Sequence, residues 1–126
     1  MEAAWRWVFW VAAFFNFAVG IPMLAAPGTM LELIGATADG ELTFHRLAGL
    51  LVACFGVIYA LVAGDLARYR PLVWLAVAGK IGVAALFVGP WLDGKVGAPA
   101  FALAMGDLAF GIAFASFLAT YRRRPQ

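Results

Sequence analysis

Four long apolar stretches, separated by short segments that contain polar residues, Gly and Pro, dominate the chain. They run over residues 5–26, 42–63, 72–92 and 98–120. Each is close to the ~20 residues that a helix needs to cross the core of a bilayer. Because the stretches are continuously apolar and do not alternate with polar residues, they predict helices rather than strands. The pattern predicts an all-α, polytopic membrane protein, with residues 1–126 forming a single domain, an antiparallel four-helix bundle.

The segments between these stretches predict where the helices begin and end. Pro27 and Gly28 end the first helix, and the residues TMLELIG that follow predict a short helix at the outer membrane interface. The segment GDLARYRP is short, and its last residue, Pro71, suits the start of a helix. We therefore expect the second and third helices to be antiparallel neighbours.

The composition indicates a lipid environment. Of the 126 residues, 65% are hydrophobic and 13% are charged, whereas soluble domains are about half apolar and a quarter charged. The first stretch ends in LAAPG, as a signal peptide can, but its apolar run is long and Asn16 lies near its middle. We therefore expect it to be retained as a helix. The predicted location is the inner (plasma) membrane, as a multi-pass protein.

The distribution of basic residues predicts the orientation. With four spans, both termini and the 64–71 connection share one side, and that side carries Arg6, Arg68, Arg70, Arg122, Arg123 and Arg124. The other side carries Arg46 and Lys95. Because cytoplasmic loops are enriched in Lys and Arg, both termini are predicted to be cytoplasmic. Basic residues beside a membrane attract anionic lipid, so we expect membrane lipids as partners and no nucleic acid.

Three polar residues interrupt the apolar stretches near their middles. At ~1.5 Å per residue from the cytoplasmic helix ends, Lys80 lies about 13 Å deep, Asn16 about 16 Å and Asp107 about 18–20 Å. A lone charge there costs about 3 kcal/mol, so we expect Lys80 and Asp107 to face each other, with Asn16 beside them. The cluster could be a ligand-binding site or a structural clasp between helices, and the sequence leaves both open.

Other polar residues carry weaker signals. Arg46, one turn into the second helix, could form the polar mouth of a cavity or anchor the helix at the interface. His45 is the only histidine and Cys54 the only cysteine, so no metal site or disulfide is predicted. We interpret Cys54 as a small buried hydrophobe, and Tyr59, Ser116 and Thr120 as packing or interfacial groups.

Recognised catalytic motifs are absent from the sequence. It contains no HExxH, P-loop, GxSxG or CxxC, and no pair of histidines for haem. No cofactor is predicted. Enzyme activity is not the favoured interpretation, but a membrane enzyme acting on lipid or quinone stays open, because an aspartate beside a lysine could move protons.

Two segments resemble a family of small membrane proteins. VGIPMLAAPGTM at 19–30 and HRLAGLLVACFGVIYAL at 45–61 are similar to four-helix bacterial proteins of the DoxX-like kind, in which Arg-x-x-Gly opens the second helix. Arg46 and Gly49 stand at those positions, and Gly56 stands at the position of a further glycine that follows them in such chains. The resemblance implies a four-helix bundle. Named relatives of this kind are linked with quinone or thiol redox systems as small membrane partners, and most members have no assigned activity. The single cysteine and the absence of a lysine late in the first helix depart from this pattern.

The first functional hypothesis is a non-catalytic accessory subunit, or a binder of a small hydrophobic molecule of lipid or quinone type. Asn16, Lys80 and Asp107 would be the polar end of its site and Arg46 the outer mouth. The alternative is a proton-coupled carrier in which Asp107 changes protonation. In either case the chain could assemble with a membrane-protein partner or with copies of itself, because small residues four apart mark packing faces.

Overall fold

The computed structural model describes residues 2–36 and 40–122, and the described part of the chain is helical. Its helices are α1 (Glu2–Ala25), α2 (Pro27–Leu33), α3 (Thr43–Gly64), α4 (Leu66–Leu92) and α5 (Ala98–Thr120). All except α2 are long and apolar enough to cross a membrane. The prediction of an all-α protein with four membrane-spanning segments is confirmed to this extent, and it suggests a multi-pass membrane protein.

The short helix α2 forms where the TMLELIG segment predicted one. Pro27 occupies its first turn, where the missing N–H costs no hydrogen bond. Pro27, Met30 and Leu31 are buried, whereas Leu33 is exposed. The helix is followed by Gly35, whose φ of 72° lies in the left-handed region that favours glycine. The turn at Gly35 brings its backbone against Pro99 and Gly97, next to the start of α5.

The third long helix begins earlier than predicted. The sequence placed its start after Pro71, but α4 begins at Leu66 and includes Pro71 and Pro90. Asp65 alone separates α3 from α4, and its carboxylate accepts a hydrogen bond from the backbone N–H of Arg68 at 3.1 Å. This cap satisfies a free N–H group at the new helix start. Pro71 lies in the second turn of α4, where proline can be accommodated in membrane helices.

Glycines let α1 and α3 pack at very short range. A Cβ added to Gly49 would lie 2.6 Å from the backbone nitrogen of Leu24, and one added to Gly20 would lie 2.7 Å from that of Ala53. Further along, the ring of Phe17 covers Gly56. These glycines therefore form the packing faces of α1 and α3. Gly82 of α4, by contrast, has no neighbour within 4 Å among the described residues.

A series of contacts relates α5 to α1. Tyr121 donates a hydrogen bond to Glu2 at 3.1 Å, and the rings of Phe9 and Phe114 stack with centroids 4.7 Å apart. Further along, the rings of Phe15 and Phe110 lie 5.4 Å apart. The start of α1 thus lies beside the end of α5.

Similar contacts relate α4 to α5. Arg70 donates to the Leu118 carbonyl at 2.6 Å near one end, and Trp91 stacks on Phe101 at 4.4 Å near the other. Between these, Gly111 lies against Lys80 and Ile81, where an added Cβ would come within 3.2 Å of Lys80 Cβ. The start of α4 therefore lies beside the end of α5.

The buried core is concentrated where α1 starts, where α3 meets α4 and where α5 ends, which we call the Glu2 end. Its largest fully buried side chains are Tyr59, Phe9, Phe114, Phe117, Leu66, Val62 and Val73. Cys54 does not join this core. It lies exposed on the surface of α3, so the prediction of a buried cysteine is wrong. A thiol is apolar enough to lie either in a protein core or on a surface that faces lipid, so the residue type alone does not predict whether Cys54 is buried.

Candidate functional site

The side chain of Lys80 lies at the centre of a buried polar cluster. Its Nζ donates to Asp107 Oδ1 at 2.6 Å and to Asn16 Oδ1 at 2.7 Å. Asn16 in turn donates through Nδ2 to the Val52 carbonyl at 3.0 Å. Lys80 and Asn16 are 3% and 4% exposed. The structure brings these three predicted residues together, and Asn16 additionally connects the cluster to α3.

The three residues meet because they lie at the same level along their helices. Asn16 and Lys80 each lie 14 residues beyond the first residue of α1 and α4, and Asp107 lies 13 residues before the last residue of α5. At 1.5 Å per residue, all three are about 20–21 Å from the Glu2 end. The sequence placed Lys80 about 8 Å too shallow because it started the helix after Pro71.

Aromatic rings surround the ammonium group of Lys80. Its Nζ lies 5.1 Å from the centre of the Phe15 ring, 5.3 Å from Tyr59 and 5.4 Å from Phe110. The negative face of an aromatic ring attracts a cation within about 6 Å, and the attraction is strongest where water is excluded. The ammonium is therefore held by one carboxylate, one amide and three rings.

A cavity of about 420 Å³ lies directly beside this cluster. Asn16, Lys80, Asp107 and Tyr59 form its polar wall, and the remaining lining is apolar. The apolar lining residues are Phe15, Val19, Met23, Ile34, Ala48, Leu51, Val52, Phe55, Gly79, Val83, Phe87, Ala100, Leu103 and Ala104. Ligand sites of proteins have volumes of about 300–1,000 Å³ and combine an apolar lining with a few polar groups. The cavity has both properties.

The cavity lies next to the aromatic core of the molecule. In α1 and α4 the lining residues lie from the middle of the helix onward, and in α5 they lie in its first half. In α3 they extend from Ala48 to Tyr59, and Ile34 lies just after α2. The closely packed core lies at the Glu2 end, and Tyr59 belongs to this core and also lines the cavity. The polar cluster therefore lies between the aromatic core and the cavity, and it forms one wall of the cavity.

Two groups on the polar wall have hydrogen-bonding capacity that the described residues leave unused. Asp107 accepts through Oδ1 from Lys80, while its Oδ2 has no partner in the described part of the chain. Tyr59 is 2% exposed, and its hydroxyl forms no hydrogen bond with any described residue. Neither of these two oxygens is fully buried. Within residues 2–36 and 40–122, the one side-chain polar atom that is fully buried and also lacks a hydrogen-bond partner is His45 Nδ1. Both residues line the cavity, so these oxygens are the groups with which a molecule bound there could form hydrogen bonds.

The structure does not bring Arg46 to this site. Arg46 is exposed, is not among the residues that line the cavity, and forms no salt bridge with another described residue. Arg46 is close enough to the exposed Glu41 for its charge to act on the Glu41 carboxyl group. Hydrogen bonds from the side chain and backbone of Thr43 lower the pKa of the Glu41 carboxyl group, and the charge of Arg46 lowers it further. A role for Arg46 in ligand binding stays a prediction.

The sequence interpretation missed the aromatic residues of the site. Tyr59 was interpreted as a packing group, and Phe15 and Phe110 were not singled out. Spacing offered a signal, because Phe15 precedes Asn16 directly and Phe110 follows Asp107 by one helical turn. Tyr59 is also the only hydroxyl-bearing residue within α3 past its first residue, Thr43.

The polar side chains of the site can take part in hydrogen bonding and proton exchange. Among the described residues there is no group of three His, Cys, Asp or Glu side chains that could hold a metal ion. The Lys80–Asp107 pair compensates its own charge, and the cavity wall offers a carboxylate oxygen and a phenol. Such a wall can orient the polar head of an apolar molecule, and the carboxylate can accept a proton.

Comparisons with known proteins provide relatives without an assigned activity. The chain is 35% identical over 78 residues to uncharacterised proteins of Mycobacterium bovis (strain AF2122/97) and Mycobacterium tuberculosis (strains CDC 1551 and H37Rv). The match covers 56% of this chain and 15% of each relative. The chain thus spans a small part of the curated relatives that it matches. No family model matches the chain. No solved structure matches it either.

Proposed function

We propose that the protein is a multi-pass inner-membrane protein whose long helices form an antiparallel four-helix bundle with both termini in the cytoplasm. Contacts from Glu2 to Tyr121 and from Arg70 to Leu118 support this order, because each joins the start of one helix to the end of another. The Glu2 end carries Arg6, Arg68, Arg70 and Arg122, whereas Arg46 and Lys95 lie elsewhere. The excess of arginine at the Glu2 end favours a cytoplasmic location for it.

We propose further that the protein binds a small hydrophobic molecule within the membrane and performs no catalysis itself. The molecule would lie in the 420 Å³ cavity, with its apolar body among the Val, Leu and Phe side chains and its polar head at the Lys80–Asp107 wall. The same activity would suit an accessory subunit of a larger assembly. The resemblance to DoxX-like proteins agrees with such a role and stays a prediction.

One observation carries this proposal: the buried ion pair borders a cavity instead of closed packing. An ion pair that only joins helices stabilises the fold most when both charges are fully surrounded by protein hydrogen-bond partners. An unsatisfied polar atom in an apolar environment costs free energy. Here the Asp107 side chain is 17% exposed while the Lys80 side chain is 4% exposed. The carboxylate is thus the member of the pair that a molecule in the cavity can reach.

Native mass spectrometry of the protein released from its own membrane tests the proposal. We expect the parent protein to carry a small-molecule adduct and the Lys80→Met variant to lose it, because the variant removes the donor that positions Asp107. Lys95→Met is the matched control, since Lys95 is exposed and lies outside the cavity. An adduct of equal abundance on the parent and Lys80→Met, or none on the parent, would contradict the proposal.

A proton-coupled carrier is the second candidate, and the accessibility of Asp107 favours it. A carboxylate that borders a cavity beside a lysine can exchange protons while a substrate is bound. This function requires uptake into vesicles that depends on a pH gradient. It predicts that Asp107→Asn abolishes the pH dependence, whereas the binder of the main proposal shows no uptake in any variant.

A further inference from the structure

The unused hydrogen-bonding groups of the cavity specify the head group of its ligand, if the proposed binding function is correct. The wall offers one acceptor, Asp107 Oδ2, and one hydroxyl, that of Tyr59, and neither has a partner among the described residues. A buried polar atom without a partner costs about 1–3 kcal/mol. The best ligand is therefore one that satisfies both oxygens.

The charges of Lys80 and Asp107 already compensate each other, so the cavity disfavours a ligand with a charged head group. Lys80 is already within 2.6 Å of Asp107, and Asn16 and three aromatic rings complete its surroundings. A second carboxylate in the cavity would face the free oxygen of Asp107 and be repelled. A cationic head would compete with Lys80 for the same carboxylate and leave one buried cation without compensation. A neutral ligand avoids both costs.

Among neutral heads, a hydroxyl group matches the wall better than a carbonyl. A hydroxyl both donates and accepts, so it can donate to Asp107 Oδ2 and accept from the Tyr59 hydroxyl at the same time. A carbonyl could only accept from Tyr59 and would leave Asp107 Oδ2 unpaired. We propose that the cavity selects a neutral lipophilic alcohol, whose hydroxyl bridges Asp107 and Tyr59.

The size and lining of the cavity restrict the rest of the ligand. At about 420 Å³ it is near the lower end of the range of about 300–1,000 Å³ for ligand sites. This volume suits one alkyl chain or a small ring system, not a two-chain phospholipid. Val83, Phe87 and Leu103 provide apolar contacts along its length. Fatty alcohols, isoprenoid alcohols and lipophilic phenols share this chemistry.

Binding of four probes with the same chain length tests the inference. Tetradecanol, 2-tetradecanone, tetradecanoate and tetradecane would be titrated against the full-length protein in nanodiscs, and bound protein would be counted by native mass spectrometry. We expect tetradecanol to bind about tenfold more tightly than the ketone, which corresponds to one additional satisfied hydrogen bond, and more tightly still than the alkane, which can form neither bond. Tetradecanoate should bind most weakly.

Two matched variants identify the cause of any preference. Tyr59→Phe should reduce the affinity for tetradecanol to that for the ketone and leave the binding of tetradecane unchanged, because only the hydroxyl is removed. Tyr69→Phe makes the same substitution on α4, outside the cavity, and should change nothing. If tetradecanol binds no better than the ketone, or if Tyr59→Phe has no selective effect, the inference is wrong while the binding function stands. If no probe binds, both are wrong.

Discussion

Gly20 and Gly49 pack so closely that neither position has room for a side chain. A Cβ on either residue would lie 2.8 Å from the carbonyl oxygen of the other. Contacts of this length to backbone atoms cannot be relieved by rotating a side chain. The two glycines therefore allow a close approach of α1 and α3, in which Asn16 also reaches the Val52 carbonyl.

The first prediction concerns this close approach. Gly49→Ala should destabilise the protein by about 1–3 kcal/mol, because α1 and α3 must separate to accept the methyl group. Gly82→Ala, on an open face of α4, is the control and should leave stability unchanged or slightly raised. Thermal unfolding of both variants in the same detergent measures the difference. Equal midpoints for the two variants would show that the glycines are not needed for packing.

The second prediction concerns the Lys80–Asp107 pair. Lys80→Met or Asp107→Leu alone should destabilise by about 3–5 kcal/mol, because each leaves one buried charge unpaired. The double variant should regain most of this loss, since no charge is then left. A double-mutant cycle on unfolding free energies gives the coupling. Additive losses would mean that the two charges do not stabilise each other.

The third prediction concerns Asn16, which connects the pair to α3. Asn16→Leu removes the hydrogen bonds to Lys80 and to the Val52 carbonyl and should cost about 1–3 kcal/mol. In the Lys80→Met background the cost should be smaller, since one of the two bonds is already absent. Unfolding measurements on the four proteins check this. The same cost in both backgrounds would exclude an energetic link between Asn16 and Lys80.

The fourth prediction concerns the cavity. Val83 lines it, whereas Leu86, three residues further along α4, is 75% exposed on the outer surface. Val83→Trp should fill the cavity and remove the bound adduct, while Leu86→Trp should retain it. Native mass spectrometry compares the two. Loss of the adduct in both variants, or in neither, would place the bound molecule elsewhere.

The fifth prediction concerns orientation. In a Cys54→Ala background, Asp65→Cys and Lys95→Cys introduce single thiols at exposed positions on opposite ends of α4. An impermeant maleimide added to intact cells should label Lys95→Cys and not Asp65→Cys, since the Asp65 side is predicted to be cytoplasmic. Labelling in the reverse pattern would invert the proposed topology.

Much of the fold could be predicted from the sequence because lipid imposes a simple requirement. A membrane helix must be long and apolar, and the span predicted over 98–120 matches α5 at both ends. The start of α4 was wrong by six residues, because proline usually marks a helix start and the Asp65 cap carries no comparable signal. The polar residues of the predicted 64–71 connection gave no indication that most of this segment belongs to α4.

The candidate site was predicted in part. A charge at mid-membrane depth needs a partner, so Lys80 and Asp107 could be paired from the sequence. The role of Tyr59 could not, since its neighbours come from three other helices and depend on how these rotate against one another. The exposure of Cys54 depends on helix rotation in the same way. The cavity depends on the packing of the whole molecule, which no local pattern encodes.

Photolabelling with a small alkyl diazirine tests the central claim most directly, namely that an apolar molecule binds beside the Lys80–Asp107 pair. The probe would be applied to the full-length protein in nanodiscs, and labelled residues would be mapped by peptide sequencing. We predict labels on Phe87 and Leu103 inside the cavity, and their loss in Val83→Trp. Labels confined to outward-facing residues such as Leu86 and Leu92, unchanged by Val83→Trp, would contradict the claim.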